Sequence, residues 1–379
     1  MPRGRALRTG GRQLLLTTTT ASPATDRRTR VRAELAERTR SFTELAHTVR
    51  SEGLNGRTRG FYFALLGGLG TALVGAIVGV VLLGESWFQL LIAAALGVIF
   101  TQLAFVGHEA AHRQVLASGT ANDRLGRLVA TFGVGMSYSW WMNKHTRHHG
   151  NPNKVGKDPD IDLGTLAFTP EDAAASRGFR AWIIARQGWF FLPLLLLAGL
   201  DMHQVSIRSL FSRKPIKGRA LEMTLIGARF ALYLGLLFWL LPVGMAFAFL
   251  GVQLAVFGLY MAASFAPNHI GMPIIPHDAK LDFLDKQVLT SRNVSGGWWM
   301  TALMGGLNYQ IEHHLFPSMP RPHLYRARQL VRAHCRTHDV LHTETSLREA
   351  WVIVIRYMNE VGLGASRSFR CPTAAAMGR

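Results

Sequence analysis

Cysteine is nearly absent. Cys335 and Cys371 are the only two among 379 residues, and neither has a partner at metal or redox-motif spacing. That excludes a disulfide framework and a cysteine zinc site, and it fits a reducing compartment. Acidic residues are scarce as well: 23 Asp and Glu against 42 Lys and Arg leave a formal charge of +19. In a soluble chain that imbalance would suggest a nucleic-acid binder. Basic residues are themselves missing from two long stretches, Phe61 to His112 and Phe230 to Ala279, where much of the 49% apolar content gathers. In a membrane protein, excess Lys and Arg mark the loops that stay in the cytoplasm, so a membrane is expected and a nucleic-acid partner is not. No secretory leader is visible and none is expected, since the Arg-rich first sixty residues hold no apolar core long enough for one. Residues 1–60 read as a cytoplasmic tail without structure, 61–360 as a membrane domain and 361–379 as a C-terminal tail.

About 20 apolar residues at 1.5 Å rise cross a hydrocarbon core of roughly 30 Å. Four stretches meet that length: Phe61 to Leu83, Phe88 to Val106, Met223 to Leu241 and Met245 to Phe265. The short turns "GESW" and "LPVG" pair them into two hairpins and leave every basic stretch on one side. A further run, Gln187 to Leu200, is short, contains Pro193 and follows Arg186. It reads as a helix lying in the interface. The fold expected is an all-α integral membrane protein, with four transmembrane helices in two hairpins and a cytoplasmic helical cap.

Histidines then stand out. His108 and His112 in "GHEAAHRQ" directly follow the second span, and spacing of i and i+4 puts both rings on one helix face. His145, His148 and His149 in "HTRHH" share a face in the same way. Gln310, His313 and His314 in "GGLNYQIEHHLFP" repeat that spacing with glutamine first, and His269 sits at the exit of the fourth span. A lone histidine is usually a satisfied or surface residue. Three same-face clusters emerging on one membrane side point to metal instead. Their number exceeds the three or four ligands of one zinc, so two metal ions are expected to share them. Iron, copper and zinc all suit imidazole. His47, His203, His277, His323, His334, His338 and His342 are scattered and read as structural or solvent-facing.

The chain resembles the membrane fatty acid desaturases of the non-haem di-iron type. The residues that carry the likeness are HEAAH at 108–112, HTRHH at 145–149 and QIEHH at 310–314, in family order between paired spans. The context "GGLNYQIEHHLFP" is similar to the subgroup of front-end, linoleoyl-type and bacterial acyl desaturases. The resemblance implies a di-iron centre held by His108, His112, His145, His148, His149, His269, His313 and His314. A weaker role falls to Gln310, which stands where many relatives have histidine. It also implies O2 as co-substrate, and an acyl chain on coenzyme A or a membrane lipid as substrate. The expected location is a bacterial inner membrane, with termini and metal site cytoplasmic. No HPGG motif of a cytochrome b5 domain occurs, so electrons are expected from a separate ferredoxin or flavin-linked reductase. Animal stearoyl-CoA desaturases carry an asparagine four positions before the equivalent of His269. Phe265 stands there, with Asn268 adjacent to the histidine instead.

Carboxylates usually orient ligating imidazoles. Glu109, Asp158, Asp160 and Glu312 lie in or beside the boxes and are the candidates for that role. Capping or surface pairing is the plain alternative for the two aspartates. Lys144, Arg147, Lys154, Lys157 and the stretch "SRKPIKGR" at 212–219 could hold substrate phosphates, although loops on this side are basic in any case. Trp140, Trp141, Trp298 and Trp299 suit the membrane interface. Two other chemistries fit part of the pattern. A hydroxylase or related oxygenase would use the same boxes. HEAAH is also HExxH, the zinc protease signature with Glu109 as general base, but that leaves the other two clusters without purpose.

Overall fold

A computed structural model describes residue 37, residues 39–213 and residues 215–363. The described residues are mostly helical. Residues 39–51 form α1, where a structureless tail was expected. Its Leu45 and Val49, one turn apart, are buried together with Leu54 against apolar residues near the C-terminus, among them Ala327 and Val331. The apolar spacing is short and set among charges, which hides the helix in the sequence. The expected tails otherwise fall mostly on residues outside those described.

Two hairpins follow the expected turns. The first joins α2 (Arg59–Leu83) to α3 (Gln89–Ala111), and Gln89 ties the turn by donating to the carbonyls of Val80 and Gly84. Between the hairpins lie α4 (Gly119–Gly126), which runs on as a π-helix over Arg127–Val134, then α5 (Tyr138–Gly150), α6 (Pro170–Ala175), α7 (Gly178–Ile184) and α8 (Gln187–Leu210). The second hairpin is α9 (Arg219–Leu240) and α10 (Val243–His269). The cap is completed by α11 (Phe283–Leu289), α12 (Trp298–Leu303), α13 (Gln310–Leu315), α14 (Leu324–Thr337) and α15 (Leu347–Leu363). The last passes the expected boundary at 360 with Val361 buried. Two short strands, β1 (Asn293–Ser295) and β2 (Glu344–Ser346), pair in parallel and pin the loop before the third histidine box to the base of α15.

Among the described residues five helices, α2, α3, α8, α9 and α10, are long and apolar enough to cross a membrane. α8 is the addition: the run read as short from Gln187 to Leu200 continues through the polar "DMHQVSIRSL" to 24 residues. Its start and the start of α9 that follows it are both tied to the cap. Gln187 donates to the carbonyls of Ala167 and Met358. Soon after the other end, Glu222 accepts from Ser137 and Ser139 at the start of α5. α8 packs on α10 at a glycine crossing. A Cβ on Gly199 would lie 2.3 Å from the Leu254 carbonyl oxygen, and one on Gly258 would lie 2.3 Å from the Gly199 nitrogen. Gly199→Ala is therefore expected to force the helices apart and destabilise the fold by about 1–3 kcal/mol. Thermal unfolding in detergent checks this, with Gly227→Ala as control, since nothing lies within 4 Å of a Cβ there.

Candidate metal centre

Each histidine box is set by a local feature. The first closes α3, where the amide of His112 donates to the carbonyl of His108 one turn back. The second lies on α5, whose start is capped by the Ser137 hydroxyl accepting from the Trp140 amide. The third lies on α13, entered through Gly305 and Gly306, which both take positive φ (59° and 86°). A side chain at Gly305 would also strike the ring of Phe105, 2.4 Å from its Cβ position. That double glycine turns the chain back under α3 and brings the third box to the first.

Eight histidines converge in two groups. His108, His112, His145, His149 and His313 form one, and His148, His269 and His314 the other, with ligand atoms within 4.8 Å of one another in each group. In the first, Nε2 of His145 lies 2.9 Å from that of His108, 2.7 Å from that of His112 and 3.0 Å from that of His149. A ring nitrogen carries either one hydrogen or one lone pair and cannot satisfy three neighbours, whereas a cation among them does. Nε2 of both His313 and His314 is buried without a hydrogen-bond partner, an arrangement that a metal ion would satisfy. Burial, reinforced by neighbouring histidines, holds His145, His149, His313 and His314 well below the usual imidazole pKa. They stay neutral, the form in which imidazole ligates metal. The donor set therefore fits metal, and eight imidazoles exceed what one zinc takes.

The outer contacts are uneven. Asp158 accepts from Nδ1 of His148 at 3.0 Å, and an Asp160 oxygen lies 3.2 Å from the same atom. Burial alone would lower the pKa of His148, but Asp160 and Asp158 outweigh it and raise it. Loss of such a carboxylate typically costs 10–100-fold in metal affinity, so Asp158→Asn is expected to weaken metal binding by about that factor. Metal titration of the purified variant measures it. Glu109 and Glu312 depart from expectation, for neither meets a ligand ring. Glu109 is held bidentate by Arg321 at 2.7 and 2.8 Å and also accepts from Tyr62. A carboxylate so occupied is no general base, which removes the protease reading. Glu312 accepts from Asn293 at 2.7 Å and lies 3.4 Å from Nε2 of His342. Both follow a box residue by one or two positions and so point off the ligand face.

Gln310 sits beside the second group, its amide nitrogen 2.9 Å from Nε2 of His269. Its oxygen accepts from Asn268, whose amide also donates to the carbonyls of Ser264 and Leu307. Lys144 pairs with Asp160, while Arg147 and Lys154 donate to the carbonyls of Lys157 and Ala279. Residue 214 of the basic stretch at 212–219 lies outside the described residues. Trp298 and Trp299 are exposed, as an interface requires, but Trp141 stacks on His145 at 5.0 Å. His203, among the scattered histidines, is buried between the carbonyls of Gly199 and Val134.

A cavity of about 470 Å³ lies between α8, α10 and the loop after α5. Phe191, Leu195, Met202, Met261 and Phe265 give it apolar walls, and His145, His148 and His269 reach it. Lys144 and Asp160 supply a polar corner beside those histidines.

Fold and site thus define a helical membrane-type protein with a histidine-rich centre open to an apolar cavity. The chain belongs to the fatty acid desaturase family, whose match spans residues 85–346. It is an oxidoreductase of acyl chains, and the family uses iron. It is 27% identical over 346 residues to the Delta(8)-fatty-acid desaturase 2 of Arabidopsis thaliana, covering 86% of this chain and 75% of that protein. The acyl-lipid (9-3)-desaturase of Physcomitrium patens is 28% identical over 283 residues, 72% of this chain but 53% of its own length. The Delta(5) fatty acid desaturase fat-4 of Caenorhabditis elegans is 29% identical over 308 residues, 78% of this chain and 68% of that protein.

Proposed function

We propose that this desaturase uses O2 and two irons to place a double bond in an acyl chain carried on coenzyme A or a membrane lipid. The observation that carries this reading is the meeting of two histidine groups at the wall of an apolar cavity. His108, His112, His145, His149 and His313 would hold one iron. His148, His269 and His314 would hold the other, with Gln310 beside them. Bound iron supplies activation of dioxygen and removal of hydrogen from an unactivated methylene, which no amino-acid side chain can do. The chain's own part is placement and dryness. Phe191, Leu195, Met202 and Met261 hold the acyl chain in line and keep water away from it. Trp141, stacked on His145, fixes the cavity wall where the reacting carbons would lie. A displacement of about 1 Å can cost on the order of a hundredfold in rate, so this wall sets which carbons react. Lys144 and Asp160 suit the polar end of the substrate.

The membrane reading has four spans, α2, α3, α9 and α10, with α8 in the interface. It rests on the ties that hold the start of α8 to Ala167 and Met358 and the start of α9 to Ser137 beside the second histidine box. By the basic-loop tendency that side faces the cytoplasm, where a separate ferredoxin or flavin-linked reductase would deliver electrons. A bacterial inner membrane rests on the box context alone, since the relatives named above are eukaryotic. The test is mass spectrometry of the lipids of a bacterial host expressing the chain with a compatible reductase. A new double bond is expected. A new hydroxyl in its place would overturn desaturation in favour of oxygenation on the same site.

A further inference from the structure

The stretch "QVLTSRN", residues 287–293, contains no metal-binding candidate, yet it touches two of the three members of the second histidine group, His269 and His314. Gln287 is 1% exposed. Its amide nitrogen lies 2.9 Å from the carbonyl oxygen of His149, and its amide oxygen lies 2.9 Å from Nδ1 of His314. A carbonyl can only accept, so the nitrogen must be the end that faces His149 and the oxygen the end that faces His314. Nδ1 of His314 must then carry the hydrogen and donate it, which leaves the lone pair on Nε2. That Nε2 is buried without a partner.

The same reasoning fixes the other two rings. Nδ1 of His269 lies 3.0 Å from the Thr290 carbonyl and can only donate to it. Nδ1 of His148 faces the Asp158 carboxylate. In all three rings Nδ1 is thus taken up by an oxygen, which leaves Nε2 as the atom that could face a metal, with the Gln310 amide nitrogen 2.9 Å from that of His269. The rest of the stretch braces the frame. Arg292 donates to the carbonyls of Pro267 and Ile270 at the end of α10, and Asn293 accepts from the Ile311 amide in α13. The five-histidine group is built differently, because Nδ1 of His108 and Nδ1 of His149 are buried with no partner.

We propose that Gln287 is a positioning residue for the metal held by His148, His269 and His314. It fixes the tautomer of His314 and, through the His149 carbonyl, the setting of α5 against α13. The proposal rests on the two-iron reading above and adds that the two positions respond separately to this one side chain.

The test compares the iron-loaded wild type with Gln287→Leu and Gln287→Glu, by iron content per chain and 57Fe Mössbauer spectra. Gln287→Leu is expected to weaken one iron by about 10–100-fold and to remove one quadrupole doublet while the other stays. Gln287→Glu can still accept the His314 hydrogen, so it is expected to keep both irons and shift one doublet alone. Two irons with unchanged spectra in Gln287→Leu would overturn the proposal. So would a Gln287→Glu variant that loses as much iron as the leucine form, because the residue would then be only a structural tie. Should the leucine variant not fold, the glutamate spectrum decides: one doublet shifted supports the proposal, and none or both shifted overturns it. A wild type that takes up no iron sinks the two-iron reading and this proposal with it. A wild type with two irons beside an indifferent leucine variant sinks this proposal alone.

Discussion

His145→Ala is expected to lower desaturation by about a thousandfold or more, equivalent to ~4 kcal/mol of activation free energy, and to strip iron from the five-histidine group. His145 is the hub of that group, with Nε2 within 3.0 Å of three other imidazole Nε2 atoms. Its ring also faces Trp141 and reaches the cavity, so no neighbour can replace it. Turnover and iron content are measured together, with His323→Ala as control. His323 belongs to neither group and its ring meets the carbonyl of Gly56, so its loss should leave both quantities unchanged. Full activity in His145→Ala would mean that the convergence of these rings is not a metal site.

Arg321→Ala is expected to destabilise the protein by about 3–5 kcal/mol, because it leaves a buried carboxylate without its partner. Arg321 and Glu109 are 5% and 2% exposed and joined at two points. Around them, Tyr62 donates to Glu109 and accepts from the Arg321 amide, and Gln114 donates to the Pro317 carbonyl. The cluster fastens the end of α3 to the turn after α13, hence the first histidine box to the third. Burial pushes the Arg321 pKa down, but Glu109 outweighs it and the pKa is raised, so Arg321 stays charged. Replacing both members with apolar residues, Glu109→Leu with Arg321→Met, should recover most of the loss, since it removes the stranded charge. Thermal unfolding in detergent distinguishes these outcomes. An Arg321→Ala variant as stable as wild type would show that the pair contributes nothing.

Much of this was readable in the sequence because the signals are local. Apolar runs of span length with two short turns gave both hairpins. The i, i+3 and i+4 spacing placed His145, His148 and His149 on one face before any fold was known. Asp158 was within reach because the chain turns back ten residues after His148. Glu109 and Glu312 were misassigned for a geometric reason: a helix turns about 100° per residue, so a neighbour in sequence leaves the ligand face. α8 looked short because its second half is polar, and only its packing on α10 makes it continuous. Gln287 and Thr290 could not be found by motif spacing, since they reach His314 and His269 across 27 and 21 positions. The one available signal was a glutamine on the otherwise apolar face of "FLDKQVL", a polar group that burial would oblige to find partners.

Metal analysis of the purified wild-type chain tests the central claim most directly. Two histidine groups in the fatty acid desaturase fold should yield about two irons per chain, and a Mössbauer spectrum with two distinct high-spin sites after reduction. A single zinc in place of iron, or one metal shared by all eight histidines, would contradict the account.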